Sequence, residues 1–536
     1  MIFMDIKKIV SKYFSEYSII RPKQKSFGDL TIIAKDIITD ADNKKLEKLR
    51  KELERVEGIE KVEQKGLFLN IFYEPISYFY NSKKTKQGKI KTMIEYSQPN
   101  PNKEMHVGHL RGAILGESLA RILEQRQPVI RATLYNDKGT HMSKTILGYL
   151  NNKNKKEDTP KFINDCYSLY SELEEQDPKY KDLAQEILIK WENNDPETVK
   201  IWKYIRDVSI KGFHEVYKLL DIKFDAEYYE SSIYEAGRKM VLEKYNEGVV
   251  EIDRGGNYIV KLAPLPEKVV LRADNTTIYA TTDIALTEKK FTDYDLDNCI
   301  IVTDNSQNLY FKQLEEILKR FGLNFENKFA HVGYGTVTLN NGKISSREGN
   351  IVTVFDFYNA LLAVAYKQTK SKRLDLTELE VQDIAKGITL AAMKYYILKY
   401  DAKANFVFDL EKSLDLRGDT GPYLLYNYVR TQSIITKSKA KGEKITEVYT
   451  EKEKDILRLL AQYNNKVDEC VKNLTTHFLA RYLFDLSSLI NSYYEETKII
   501  GGDEDKLENR IAILKESNKI IKNGLNLLGI KTVKSI

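Results

Sequence analysis

Lys89-Ile90-Lys91-Thr92-Met93-Ile94-Glu95-Tyr96 leads into Ser97-Gln98-Pro99-Asn100-Pro101-Asn102-Lys103-Glu104-Met105, then a run from His106 to Arg126, then Val129 to Tyr135. Ile90, Thr92, Ile94 and Tyr96 recur at every second position, the period of a strand. Two prolines and two asparagines in the next nine residues break it into a loop. From Val107 onward Leu110, Ile114, Leu115, Leu119, Ile122 and Leu123 follow helical spacing, and Val129–Tyr135 reads as a second strand. Strand, loop, helix, strand is a βαβ unit, right-handed by default. Ligands of such sheets sit at the carboxyl ends of the strands, so the 97–109 loop is the place to look for chemistry.

That loop ends in His106-Val107-Gly108-His109, and two of only six histidines in the chain fall in this one turn. A helix N-terminus offers free N–H groups to an anion, Gly108 admits a planar base or ribose to the backbone, and two imidazoles can hydrogen-bond a phosphate. A metal pair at i, i+3 or mere capping of the loop are the competing readings. A second polar segment, Asn341-Gly342-Lys343-Ile344-Ser345-Ser346-Arg347-Glu348-Gly349-Asn350, lies between strand-like Thr336–Leu339 and Ile351–Val354. Its two cations and two hydroxyls can close over a triphosphate. Taken alone, it is equally an ordinary hydrophilic hairpin.

Outside this layer, residues 1–80 read as a small α+β unit, with a charged helix over Lys44–Val56 and a strand over Leu67–Phe72. Residues 1–91 hold 20 Lys+Arg against 13 Asp+Glu, so the chain's whole excess of +6 sits at this end, which suggests nucleic acid or simply a solvated lysine-rich face. Residues 89–370 form the α/β layer, with a helical and β insertion over about 151–275. Residues 371–536 read as all-helical apart from a Lys/Gly-rich stretch at 437–446. No apolar run approaches a membrane span. Cys166, Cys299 and Cys470 are too scattered for a disulfide framework or a structural metal, so a reducing cytoplasm is expected.

His-x-Gly-His followed by Lys-x-Ser-x-x resembles the class I aminoacyl-tRNA synthetases, and the flanks resemble arginyl-tRNA synthetase. The resemblance is carried by Glu95–Asn100, Lys103, His106–Arg111, Ile114-Leu115-Gly116, Asn136-Asp137-Lys138-Gly139-Thr140, Ser345–Asn350, Asp415–Tyr423 and Asn523–Ile530. It implies a multidomain α/β protein: a Rossmann-type parallel-sheet catalytic domain, a small N-terminal α+β domain and an all-α C-terminal anticodon-binding domain. It implies activation of L-arginine with ATP, Mg²⁺ accompanying the ATP, transfer to the terminal ribose of tRNA(Arg), and no protein-bound structural metal. A monomer is expected. An inactive synthetase-like RNA-binding protein and a small-molecule nucleotidyltransferase are the alternatives. The first would have lost motif residues and the second would lack a long helical C-terminal half.

The resemblance assigns residues as follows. Lys103, His106, His109, Lys343, Ser345 and Arg347 are expected to be catalytic, and Gly108 and Ser346 to join His106, His109 and Lys343 on ATP. Glu95, Ser97, Asn100, Tyr279, Asp283 and Gln307 are expected to hold arginine. In Tyr279-Ala280-Thr281-Thr282-Asp283 the carboxylate would meet the guanidinium, which needs a fixed anion in a dry site; Asp283 could instead cap the following helix. Phe27, Asp29, Tyr423, Tyr426 and Arg430 are candidates for tRNA, although 423, 426 and 430 share a helical face and could be core. Three positions depart from the family: Ser346 replaces a second lysine, a loss for which Lys103 is expected to compensate; Tyr310 stands where His is usual; and Ile33 stands where Asn is common.

Overall fold

A computed structural model describes residues 2–22, 24, 27–34, 40–83, 87–152, 157–325, 327–339 and 352–536. The N-terminal unit is a four-stranded antiparallel sheet of β1 (Tyr17–Ile20), β2 (Leu30–Ala34), β3 (Ile59–Lys65) and β4 (Phe68–Tyr73), in the order β1-β2-β4-β3. Helices Ile2–Val10 and Asp40–Leu53 cover it, and Leu46, Leu49 and Leu53 are wholly buried, as their spacing requires.

The central sheet contains β5 (Thr92–Tyr96), β6 (Val129–Tyr135) and β7 (Ala226–Tyr229). A small antiparallel sheet of β8 (Glu251–Ile252), β9 (Tyr258–Val260) and β10 (Lys268–Leu271) follows, before β11 (Asn298–Asp304) and β12 (Phe329–Tyr334) rejoin the centre. The central order is β12-β11-β5-β6-β7, with every pair parallel. β5, the first strand of the βαβ unit, is therefore flanked on both sides and all five of its residues are buried. The range 151–275 does not stand wholly outside the layer, because β7 within it forms an edge of the central sheet. Ala-Glu-Tyr-Tyr is too short and too polar to announce a strand. Helices Pro160–Gln176, Lys179–Glu192 and Pro196–Leu220 precede it and share their own core around Phe162, Cys166, Tyr170 and Trp202.

The helix Val107–Glu124 lies against β5 so closely that a Cβ on Gly116 would fall 2.2 Å from Tyr96 Cγ. Its other side meets helices Glu378–Leu398, Tyr463–Asn473 and Leu507–Leu527, and one hydrophobic core runs from Ile94 and Leu110 to Leu483 and Leu525. The helical half thus braces the element that carries both motif histidines. Among its described residues β14 (Phe406–Phe408) is the one strand, and it pairs in parallel with β13 (Val337–Leu339).

Over Val352–Val354, the described part of the expected strand Ile351–Val354, there is no strand beyond a single bridge of Thr353 to His106. Val354 opens a helix to Lys372, because Thr353 Oγ1 accepts the N–H of Asp356 and caps it. Val352–Val354 instead lie beside the histidine turn: Val107 N–H donates to the Val352 carbonyl at 3.4 Å, and Val354 N–H to the Met105 carbonyl at 2.9 Å.

Candidate active site

The turn after β5 is fixed from two directions. Ser97 adopts a left-handed φ of 61°, its carbonyl accepts from Thr133 Oγ1 at 2.5 Å, and its hydroxyl shares a 2.9 Å hydrogen bond with Tyr217. A non-glycine residue persists there only when its surroundings over-determine it. Ser97 therefore shapes the loop, its hydroxyl already engaged. The loop is also bound to its neighbour: Asn136 N–H donates to the Pro99 carbonyl and Asn136 Nδ2 to the Gln98 carbonyl, both at 3.3 Å.

His106 and His109 cap the helix reciprocally. His106 Nδ1 accepts the N–H of Gly108 at 3.0 Å, and His109 Nδ1 accepts the N–H of His106 at 3.3 Å. The rings stack with centroids 3.9 Å apart. Burial pushes His106 down to about 4 and His109 to about 3, with the charge of nearby Lys103 acting on both in the same direction. Both rings are therefore neutral at physiological pH. Because each Nδ1 is an acceptor, each proton is on Nε2. The motif supplies two N–H donors beside a helix N-terminus, without a formal charge. Gly108 is needed because a Cβ there would lie 2.8 Å from His106 Cε1.

These residues form one wall of a cavity of about 710 Å³ at the carboxyl ends of β5, β6, β11 and β12, reached by Glu95, Asn100, Asn136, Gln307 and Tyr334 among others. Asp283 also lines it. The helix Tyr279–Tyr294 begins four residues before it, so Asp283 is not its cap and shares a face with Tyr279. Tyr310 donates its hydroxyl to Asp283 Oδ2, so the residue found in place of the family's histidine is itself a partner of the pocket carboxylate. Burial raises Asp283 to about 6, opposed by that hydrogen bond. Gln307, in the turn after β11, also faces the cavity.

Two residues that matter here went unnoticed in the sequence. Glu230, just after β7, is 4% exposed, accepts from Thr282 Oγ1 at 3.3 Å and leaves Oε2 without a partner. Burial, with the charges of Asp137 and Asp283, holds its carboxyl well above the ordinary range. Lys290, also buried, ion-pairs with Glu95. Glu230 was hidden because β7 was; Lys290 could have been found seven residues beyond Asp283 on the same helical face. Arg111, quoted above only as a flank of the histidine motif, donates to the carbonyls of Gly335 (2.6 Å), Ala402 (2.8 Å), Ala404 (2.8 Å) and Asp401 (3.2 Å), and burial lowers it to about 10.

Lys343, Ser345, Ser346 and Arg347 lie outside the described residues. The segments on either side of them end at the site: Val337 lines the cavity and Val352 bonds to the histidine turn. Among the described residues no group of three or more His, Cys, Asp or Glu is placed to hold a metal ion, and no helix is long and apolar enough to cross a membrane.

The candidates for RNA contact divide. Phe27 is exposed. Asp29 accepts the N–H of Tyr73 at 2.9 Å and sits 3.4 Å from Arg458 Nε, so it ties the N-terminal unit to the helical half. Tyr423 is buried in the core beside Phe484 and is no free stacking surface, which corrects the expectation for that residue. Tyr426 is exposed, and Arg430 stacks on Tyr494 at 4.0 Å while bonding Asn491.

Residues 77–410 match the family described as tRNA synthetases class I (R), catalytic domain, and residues 424–536 the DALR anticodon binding domain. The chain is 30% identical to the arginine–tRNA ligase of Borrelia hermsii over 99% of each protein. The chain belongs to the arginyl-tRNA synthetases. The arginine–tRNA ligase of Phocaeicola vulgatus is 32% identical over 84% of this chain and 82% of its own. Among solved structures, the arginyl-tRNA synthetase of Thermus thermophilus superposes with a TM-score of 0.84 at 22% identity, covering 100% of both chains, and so shares the whole fold.

Proposed function

We propose the following division of labour within a class I arginine–tRNA ligase. Arginine lies across the cavity with its guanidinium on Asp283 and Tyr279, its α-ammonium on Glu95, and Asn100 and Gln307 beside it. Glu95 takes the ammonium because it sits at the carboxyl end of β5, next to the loop that leads to the histidines, where the neighbouring α-carboxylate must react. That carboxylate attacks the α-phosphorus of ATP, forming the acyl–phosphate bond as the bond to the β-phosphate oxygen breaks and pyrophosphate leaves. No protein nucleophile is required; positioning and hydrogen-bond donation carry the step.

His106 and His109 donate Nε2–H to the reacting phosphate, and Lys103 adds the positive charge that neutral imidazoles lack. Lys343, Ser345, Ser346 and Arg347 neutralise and hydrogen-bond the outer phosphates. Mg²⁺ enters with the triphosphate and offsets its charge. The arginyl group then passes to the 2′-hydroxyl of the terminal adenosine of tRNA(Arg), whose anticodon arm meets the helical half near Tyr426 and Arg430, with Phe27 a further contact from the N-terminal unit. The protein works as a cytoplasmic monomer.

The observation that carries this reading is that a paired-histidine helix N-terminus and a half-buried, hydroxyl-bonded carboxylate line one cavity. Arginine-dependent ATP–pyrophosphate exchange, with and without tRNA(Arg), tests it. Exchange stimulated by arginine and absent with lysine is expected. Absence of exchange under both conditions would refute it.

A further inference from the structure

We infer that Lys290 is a positioning residue for arginine binding: from behind the cavity it pairs with Glu95 and holds that carboxylate aimed at the substrate's α-ammonium. The inference rests on the assignment of Glu95 to that group. Lys290 and Glu95 are 2% and 3% exposed, and Lys290 Nζ pairs with Glu95 Oε2. The other oxygen, Oε1, is 3.2 Å from Gln98 Nε2. Glu95 lines the cavity and Lys290 does not, so the lysine reaches the substrate only through the carboxylate.

The charge pattern requires such a group. Glu95 and Glu230, both buried, and half-buried Asp283 place three carboxyl groups about a site for a ligand with two cationic ends. Empty, that site would carry repelling negative charge, and a desolvated carboxyl group escapes the cost by taking up a proton. The titratable groups that face Lys290 are Glu95 from β5, Cys299 from β11, Tyr228 from β7 and Asp283 from its own helix. Burial pushes the Cys299 thiol up to about 12 and the Tyr228 phenol above its ordinary value, so both are neutral near pH 7. Lys290 is thus answered by carboxylates alone. The helix Tyr279–Tyr294 serves both ends of the substrate: its first turns carry Tyr279 and Asp283 for the guanidinium, and Lys290, seven residues on, backs the ammonium site.

The test separates the two ends with 5-guanidinopentanoate, which keeps the guanidinium and carboxylate of arginine but lacks the α-amino group. In Lys290→Met, KM for arginine in aminoacylation is expected to rise at least tenfold at pH 7. The inhibition constant of 5-guanidinopentanoate should change less than threefold. Lys290→Arg should retain most of the arginine affinity. The double variant Lys290→Met/Glu95→Gln, which leaves no unpaired charge, should fold even where the single variant does not, and should show the same raised KM. An unchanged or lowered KM in Lys290→Met would overturn the inference, as would an equal loss of arginine and analogue. Should Glu95→Gln alone leave KM for arginine unchanged, the assignment of Glu95 itself would fall instead.

Discussion

Replacing Asp283 by Asn removes one charge and almost no volume, yet the structure makes it a severe change. Tyr310 donates its hydroxyl to Oδ2. An asparagine must offer its carbonyl oxygen there, because a phenol cannot accept and donate equally well in that orientation. Its NH₂ then points at the guanidinium, donor against donor. Breaking a buried ion pair by removing one partner costs about 3–5 kcal/mol. Because Asp283 opens onto the cavity, the lower end applies, and ~3 kcal/mol is on the order of a 10²-fold loss in kcat/KM for arginine. The pH dependence adds a second signature. Asp283 stands at about 6 when the site is empty. Arginine binds the carboxylate, so KM for arginine should be flat above pH 7 and climb toward about tenfold per pH unit well below 6. His106 and His109, at about 4 and 3, add nothing in that window. Stability moves the other way: a raised carboxyl in the empty fold binds its proton more readily than the unfolded chain does, so acidification through pH 6 favours folding at this residue while it weakens the ligand. The assay is arginine-dependent pyrophosphate exchange with tRNA present, from pH 5 to 8. A KM for Asp283→Asn within threefold of wild type, or an acid limb that survives in the variant, would refute the pairing.

Gly108→Ala should retain the Tm, since alanine suits a helix, but the Cβ must displace the His106 ring; kcat for activation should fall on the order of 10–100-fold with KM for arginine little changed. Lys103→Met should likewise lower kcat more than arginine affinity, by roughly 10–100-fold, because positive charge is needed most in the transition state. Single-turnover aminoacylation reads this, and partial rescue by Ser346→Lys would support an exchange of roles. Tyr423→Ala should cost about 3–5 kcal/mol of stability by emptying a core site, measured by denaturant unfolding. Tyr426→Ala should leave stability unchanged and raise KM for tRNA(Arg) about tenfold, as loss of one stacked base would.

The βαβ unit was legible because period-two and period-3.6 patterns abut without overlap: Val129–Tyr135 falls as read, and the helix from Val107 ends at Glu124, two residues before Arg126. Tyr279 and Asp283 share one helical face, as their i, i+4 spacing allows once that turn is helical. What stayed hidden was tertiary. β7 shows no apolar run because it is a short edge strand, and Glu230 was lost with it. The engagement of Ser97 by Thr133 and Tyr217 joins positions 36 and 120 residues away, beyond any local pattern. Tyr423 and Tyr426 look alike in the sequence, and only packing against Phe484 separates them.

Arg111 sets an order of assembly. Its guanidinium is met by carbonyl oxygens 224 to 293 residues further along the chain. At about 5–20 residues per second, a ribosome needs roughly 15–60 s to travel from Arg111 to Ala404. Until then the cation beneath the histidine turn lacks the acceptors that permit its burial, and the turn above it lacks its footing. A nascent chain that has already completed the parallel sheet therefore has no finished nucleotide site. Competence arrives late in translation, once the segment that leads into the tRNA-binding half has emerged.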